Sequence, residues 1–176
     1  MPLPLTITDQ PIFGLPTLAR PRGVIVPPAM TSNTAPVPWV ASASGEYNAG
    51  SAAWHAFCAP RVYNGWLNAN GALPQWIALK FPYPFVVATY SLYPWWADNF
   101  PGRSPTAWTF QGSPDGGTTW LVLDTQTGQT WAAATTTKTY TVVQPVACTA
   151  FRLWITANGG NSYTGLGSFL FTGRRF

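Results

Sequence analysis

From residue 36 onward, apolar and polar positions alternate in short runs separated by Gly, Pro and Asn, the pattern of strands that bury one face. Val37 to Ser44 reads as a first strand, confined to its start or to an edge by Pro36 and Pro38. Residues 45–74 are loop-like, with one short helical turn over Ala52 to Phe57. Gln75 to Phe81 and Phe85 to Tyr93 read as two strands, the second with Val86, Ala88, Tyr90 and Leu92 on one face. Thr106 to Ser113 places Trp108 and Phe110 on the same side. Asp115-Gly116-Gly117 then makes a hairpin turn back into Thr118 to Asp124. Lys138 to Val143, Ala150 to Thr156 and Leu166 to Thr172 complete the set, with Phe151, Leu153 and Ile155 alternating with Arg152, Trp154 and Thr156. Eight short strands at this spacing, and no internal repeat, predict an all-β sandwich or jelly roll.

Residues 1–33 follow a different pattern. Seven prolines lie too close together for a helix, and between them sit short apolar pieces such as Leu3, Leu5 and Ile7, or Val24, Ile25 and Val26. A segment with no core of its own but an apolar composition is expected to be an extended arm packed on another surface. The expected division is therefore an anchoring arm over 1–33 and a single folded domain over 34–176.

Composition narrows the class. The chain has 176 residues, of which 47% are hydrophobic, 15% aromatic and only 8% charged, so a core can form and disorder is excluded as the general state. Nine Lys and Arg against five acids give a net charge of +4, but the bases are dispersed, which argues against nucleic acid as a partner. No run of residues is long and apolar enough to predict a membrane span. The N-terminus lacks a basic stretch followed by an apolar run, so synthesis without a cleaved export signal is expected. Cys58 and Cys148 can form one disulfide or remain buried thiols, and a reducing interior favours thiols.

Catalytic chemistry is poorly supplied. His55 is the one histidine, flanked by Trp54 and Ala56, and reads as a half-buried ring rather than a general base. A glycosidase needs two carboxylates flanking the scissile bond; of Asp9, Glu46, Asp98, Asp115 and Asp124, Asp115 reads as a turn residue and Asp9 lies in the arm, and Glu46 with Asp98 is the candidate pair. No metal-ligand spacing or phosphate loop is present, so no cofactor and no metal are predicted. Aromatics on loops are the stronger signal, because a sugar offers an apolar C–H face to a flat ring and hydroxyls to polar groups. The candidate carbohydrate-binding residues are Tyr63 and Trp66 in one loop, Trp95, Trp96, Asp98 and Arg103 in a second, Asn158, Asn161 and Tyr163 in a third, and Trp131 in a fourth. Asp98 and Arg103 can also pair and brace their loop. Trp39, Trp54, Trp76, Trp108, Trp120 and Trp154, in or beside strands, are assigned to packing within the sandwich.

An ordered set of short motifs runs from about Thr34 to Gly173: Ala41-Ser42-Ala43-Ser44, Ala53-Trp54-His55-Ala56-Phe57, Trp66-Leu67, Pro74-Gln75-Trp76-Ile77, Gly102-Arg103-Ser104-Pro105, Trp108-Thr109-Phe110-Gln111-Gly112-Ser113, Asp115-Gly116 with Trp120, Phe151-Arg152-Leu153 and Gly165-Leu166-Gly167. In this the chain resembles the discoidin, or coagulation-factor type C, domain and its galactose-binding-like relatives among carbohydrate-binding modules. The resemblance implies an eight-stranded jelly roll with ligand-contacting loops at one end. Gly-Arg-Ser-Pro, Gln-Gly-Ser and Asn-Ser-Tyr-Thr-Gly resemble copies found at the ends of bacteriophage virion proteins. Many relatives hold calcium through an Asp where this chain has Cys58 and a Glu where it has Ser168. Because calcium needs hard oxygen ligands, that exchange supports the expectation of no metal.

The function these readings predict is non-enzymatic. A carbohydrate-binding jelly roll would be fixed to a phage virion by residues 1–33 and would mediate adhesion to host surface polysaccharide, as a tail fibre, head fibre or capsid decoration. The expected partners are other virion proteins through the arm, a host glycan, and further copies of the chain, with no membrane insertion. The site of synthesis would be the bacterial host cytoplasm. The alternative is a purely structural virion subunit, capsid-stabilising or joining, whose sandwich no longer binds sugar.

Overall fold

The computed structural model describes residues 27–58, 65–69 and 71–176. Residues 1–26 of the expected arm, and Tyr63, lie outside the described residues. Eight antiparallel strands form the sandwich: β1 (Val40–Ala43), β2 (Trp66–Leu67), β3 (Gln75–Pro94), β4 (Pro105–Ser113), β5 (Leu121–Gln126), β6 (Lys138–Thr141), β7 (Ala147–Asn158) and β8 (Gly165–Arg175). Two 3-10 turns, Ala49–Ser51 and Ala53–Phe57, lie between β1 and β2.

The total of eight matches the expectation, but the strands are not the same eight. Gln75–Pro94 is one strand, where Pro82 and Pro84 suggested a break. Its first half pairs with β7 from Gln75 opposite Ile155 to Lys80 opposite Ala150. From Phe85 opposite Arg175 to Pro94 opposite Leu166 it pairs with β8. The prolines fall where the strand passes from one layer to the other, so their missing N–H groups cost no ladder hydrogen bond. The second correction is Trp66–Leu67, expected as loop, which pairs with Leu166 and Gly165 of β8.

A register shift between Val87 and Thr89 flips the facing of β3. Phe85 and Val87 point inward before it, Tyr90 and Leu92 after it, and Ala88 is exposed rather than sharing their face. The hairpin between β4 and β5 is also longer than a two-residue turn. Asp115 Oδ1 accepts from Ser113 Oγ at 2.7 Å and from the backbone N–H groups of Thr118 and Thr119 at 3.1 and 2.9 Å. This delays β5 to Leu121, while Gly116 and Gly117 take φ of 74° and 109°.

The core is aromatic. Phe57, Phe81, Phe85, Tyr90, Phe110, Phe151, Phe169 and Phe171 are almost fully buried, with Phe110 stacked on Phe151 at 5.8 Å and on Tyr90 at 4.5 Å. Each such pair contributes roughly 0.5–1.5 kcal/mol beyond the area it buries. The Tyr90 hydroxyl donates to Asp124 Oδ2 at 2.7 Å and accepts from Trp108 Nε1 at 3.0 Å, so this buried polar group is satisfied.

Residues 27–33 already belong to the sandwich. Met30 is buried in the core, and Asn33 donates to Glu46 Oε1 at 2.8 Å while its own side-chain oxygen accepts from the Trp54 N–H at 3.0 Å. Cys58 and Cys148 are free, buried thiols. Burial pushes both thiols upward, Cys148 to about 11. Among the described residues no helix is long and apolar enough to cross a membrane.

Candidate functional site

The β3–β4 loop (95–104) and the β7–β8 loop (159–164) emerge at the same end of the sandwich, where Pro94 lies opposite Leu166 and Pro105 opposite Asn158. The segment after β1 joins them, with the Tyr47 N–H donating to the Leu67 carbonyl at 2.9 Å. Between these loops lies an open cavity of about 430 Å³, within the size range of small-ligand sites.

The floor is built first. The Trp95 indole is almost fully buried, and its Nε1 donates to the Asp98 carbonyl at 2.9 Å, which folds the chain back into a tight loop. It can lie there because residue 165 is glycine: a Cβ at that position would stand 2.7 Å from Trp95 Cε3. Beside it, Arg103 Nη1 meets Asp98 Oδ1 at 2.7 Å. The Arg103 side chain is only 12% exposed and Asp98 66%, so the carboxylate faces solvent while the guanidinium lies below it. The guanidinium sits 5.2 Å from the Tyr163 ring and 5.9 Å from that of Trp95. Arg103 Nε is buried and has no hydrogen-bond partner among the described residues.

Tyr163 forms one wall, edge-on to Tyr47 at 5.6 Å. Asn158 holds its loop: Nδ2 lies within hydrogen-bonding distance of the carbonyls of Asn161 and Tyr163 at 2.8 and 3.0 Å, and Oδ1 accepts from the Gly160 N–H at 2.9 Å. Asn161 Oδ1 accepts from the Tyr163 N–H at 3.0 Å. Asn68 Oδ1 ties the far side to the Thr164 N–H at 2.7 Å.

The expected site residues therefore divide. Trp95, Asp98, Arg103 and Tyr163 are brought together around the cavity. Trp96 stands nearby, 38% exposed. Asn158 and Asn161 fix the loop from behind, their side chains occupied by backbone groups. Trp66 and Trp131 are corrections. Trp66 is fully buried in β2, its Nε1 donating to the Gly45 carbonyl at 2.9 Å. Trp131 is buried with Nε1 on the Pro105 carbonyl at 2.8 Å and the Lys138 ammonium 5.1 Å from its ring. Neither indole offers a free face to a ligand. Sequence reasoning missed Tyr47, Asn48 and Ser51, which line the cavity. Tyr47, 55% exposed between Glu46 and Asn48, carried the same signal as the other loop aromatics.

Two further constellations resolve here. Glu46 Oε1 accepts from Asn33 Nδ2 and from the Ala53 N–H, both at 2.8 Å, and Asp98 pairs with Arg103; Asp98 lines the cavity and Glu46 does not. The calcium position known from the resemblance does not fit the metal either. The Cys58 thiol is buried and donates to the Met30 carbonyl at 3.1 Å, Ser168 is a buried neutral hydroxyl, and no group of three His, Cys, Asp or Glu occurs among the described residues.

No family model matches the chain. A segment of 82 residues, 46% of this chain, is 38% identical to a peptide-N(4)-(N-acetyl-beta-glucosaminyl)asparagine amidase of Arabidopsis thaliana, and covers 11% of that protein. Solved structures match far more of the chain. A family 32 carbohydrate-binding module of Clostridium perfringens, in complex with GalNAc-beta-1,3-galactose, superposes with a TM-score of 0.63 at 17% identity over 76% of this chain and 94% of its own. A chitosan-binding module from a Paenibacillus chitosanase/glucanase gives 0.62 at 26% identity, over 76% and 94%. An F5/8 type C domain of Bacteroides fragilis gives 0.65 at 17% identity, over 84% and 97%. By structure, then, the chain has the galactose-binding-like fold that F5/8 type C domains and family 32 carbohydrate-binding modules also adopt.

Proposed function

We propose that the loop-end cavity binds a sugar ring of a glycan, and that the chain is a non-enzymatic adhesion module. The observation that carries this reading is the meeting of an exposed carboxylate, its paired guanidinium and two tyrosine rings around one open cavity. Asp98 accepts from one hydroxyl of a sugar while the Arg103 guanidinium beside it, which also lines the cavity, donates to its neighbour; hydrogen bonds to charged groups contribute about 1.5–3 kcal/mol. Tyr163 and Tyr47, with Trp96 at the rim, receive the C–H face. GalNAc-beta-1,3-galactose and chitosan, named for the similar modules, make amino sugars and their N-acetylated forms the first ligands to try.

The setting we propose is a bacteriophage virion, with the part of the arm before residue 27 anchoring the module and the host surface polysaccharide as its target. Sequence features support this setting: the proline-spaced apolar arm and the phage-like Gly-Arg-Ser-Pro and Asn-Ser-Tyr-Thr-Gly motifs. A glycan array probed with a multivalent display of the full chain tests the binding reading. The expected result is a saccharide-specific signal that Tyr163→Ala and Asp98→Asn each reduce at least about tenfold, with thermal midpoints near that of the parent. A signal that survives both variants would reject the cavity as the site. A blank array would favour the structural-subunit alternative.

A further inference from the structure

A second constellation lies on the outer face of the layer formed by the first half of β3, β7 and β4. Alternation sends Ile77, Leu79, Phe151, Leu153 and Ile155 into the core, and therefore turns Trp76, Lys80, Arg152 and Trp154 outward. In register, Trp76 faces Trp154, Ala78 faces Arg152 and Lys80 faces Ala150. The two alanines are short enough to leave a trough between the larger side chains, and the β4–β5 turn closes it with Trp120. The resulting groove has a volume of about 310 Å³.

The groove is cationic and aromatic together. The Arg152 guanidinium lies 4.1 Å from the Trp120 ring centroid and 4.4 Å from that of Trp154. Its Nε donates to Gln111 Oε1 at 2.7 Å, which fixes the plane of the fork. Lys80 stands on the neighbouring strand against the turn glycines. Among the described residues no carboxylate lines the groove. The nearby Asp115 is consumed by Ser113, Thr118 and Thr119, and the one ion pair among the described residues is Arg103 with Asp98 at the other site. Two positive groups, one of them half-buried, are thus held side by side without a counter-charge.

We infer that this groove is a second binding site, specific for carboxylate-bearing sugar residues of an acidic polysaccharide. A fixed guanidinium is the geometry that takes a carboxylate through two parallel hydrogen bonds. The ammonium of Lys80 adds a second contact along the strand direction, and the rings of Trp76 and Trp120, which line the groove, receive the apolar face of the ring that carries the acid. Burial, which draws the proton affinity of Arg152 below its ordinary value, makes a bound anion more favourable there. Two cations are too few for a nucleic-acid backbone, whose binding grows with the number of phosphates neutralised. The groove shares no lining residue with the loop-end cavity, so either site can fail without the other.

The test is calorimetric titration of the full chain with hexagalacturonate and with a sialic acid hexamer, against maltohexaose as a neutral chain of equal length. At least one acidic chain should bind, more weakly as salt is raised. Arg152→Gln and Trp120→Ala should each lower that affinity about tenfold or more, while Tyr163→Ala leaves it unchanged. The unaltered chain supplies a second readout: the indole N–H resonances of Trp76 and Trp120, which line the groove, should shift during the titration. Binding of neither acidic chain, binding undiminished in Arg152→Gln, or shifts confined to Trp95 and Trp96 would overturn the assignment.

Discussion

His55 shows what its surroundings do to a buried titratable group. It is buried edge-on against Trp54, with ring centroids 3.9 Å apart. Desolvation is the largest influence and lowers its proton affinity below the ordinary 6.5, against smaller opposing contributions from backbone groups at Gly50 and Gly65 and from the Glu46 carboxylate. The unfolded chain therefore takes up a proton in a range where the folded chain does not. By linkage, stability is full above about 6.5 and falls as the pH drops below it. The urea midpoint should be lower at pH 5.5 than at pH 7.5, and His55→Gln should flatten that difference. Asp115, held well below the usual carboxylate range by the Thr119 and Thr118 N–H groups and by the Ser113 and Thr119 hydroxyls, acts in a separate window. Its contribution is present above its unfolded value of 3.8 and is lost only further down. An unchanged midpoint between pH 7.5 and pH 5.5 would show that His55 titrates alike in both states.

At the scale of elements, β3 carries both layers, and its bulge depends on the strand beside it. Gly173 of β8 lies opposite Val87, and a Cβ there would come within 3.0 Å of both Phe85 Cε1 and the Val86 carbonyl carbon. Backbone cannot retreat as a side-chain tip can, so Gly173→Ala should destabilise the domain by about 3 kcal/mol, read as a lower denaturant midpoint at unchanged m-value. A cost near zero would mean that the two strands separate freely at the bulge. Strand positions were legible in the sequence because alternation survives wherever one face is buried. The continuity of β3 was not, because Pro82 and Pro84 read as terminators unless the partner exchange is known. The facing of Val86 and Ala88 was lost for the same kind of reason: a bulge adds one residue without changing composition. The site was half legible. Loop aromatics and the Asp98–Arg103 pair could be found by residue type, but Trp66 and Trp131 could not be recognised as buried, since the carbonyls that satisfy their buried N–H groups, at Gly45 and Pro105, lie far off in the sequence.

For the molecule as a whole, the tryptophans exchange roles. Trp66, Trp95 and Trp131, expected at the loop surface, are buried, whereas Trp76, Trp120 and Trp154, expected to pack between layers, lie partly exposed on an outer face. The chain's aromatic excess is thus spread over a core, an end and a flank. The N-terminal side of the domain is set by contacts as well. Met30 fills the core and Asn33 links Glu46 to Trp54, so removing residues 1–26 should leave the thermal midpoint within a few degrees of the full chain. Removing 1–33 should lower it clearly, by the several degrees that about 1–2 kcal/mol represents in a domain of this size. Equal midpoints for the two truncations would place the domain boundary at residue 34 after all. The two thiols lie in different parts of this body. Cys58 is covered by the strap that carries Met30, while Cys148 sits inside the sandwich where Gly112 leaves just enough room for its sulfur. A thiol reacts only when it is uncovered and ionised, and burial opposes both. Cys58 therefore becomes chemically visible when the strap lifts, and Cys148 when the layers part. The chain carries two internal clocks, one timing a local opening and the other the loss of the whole fold.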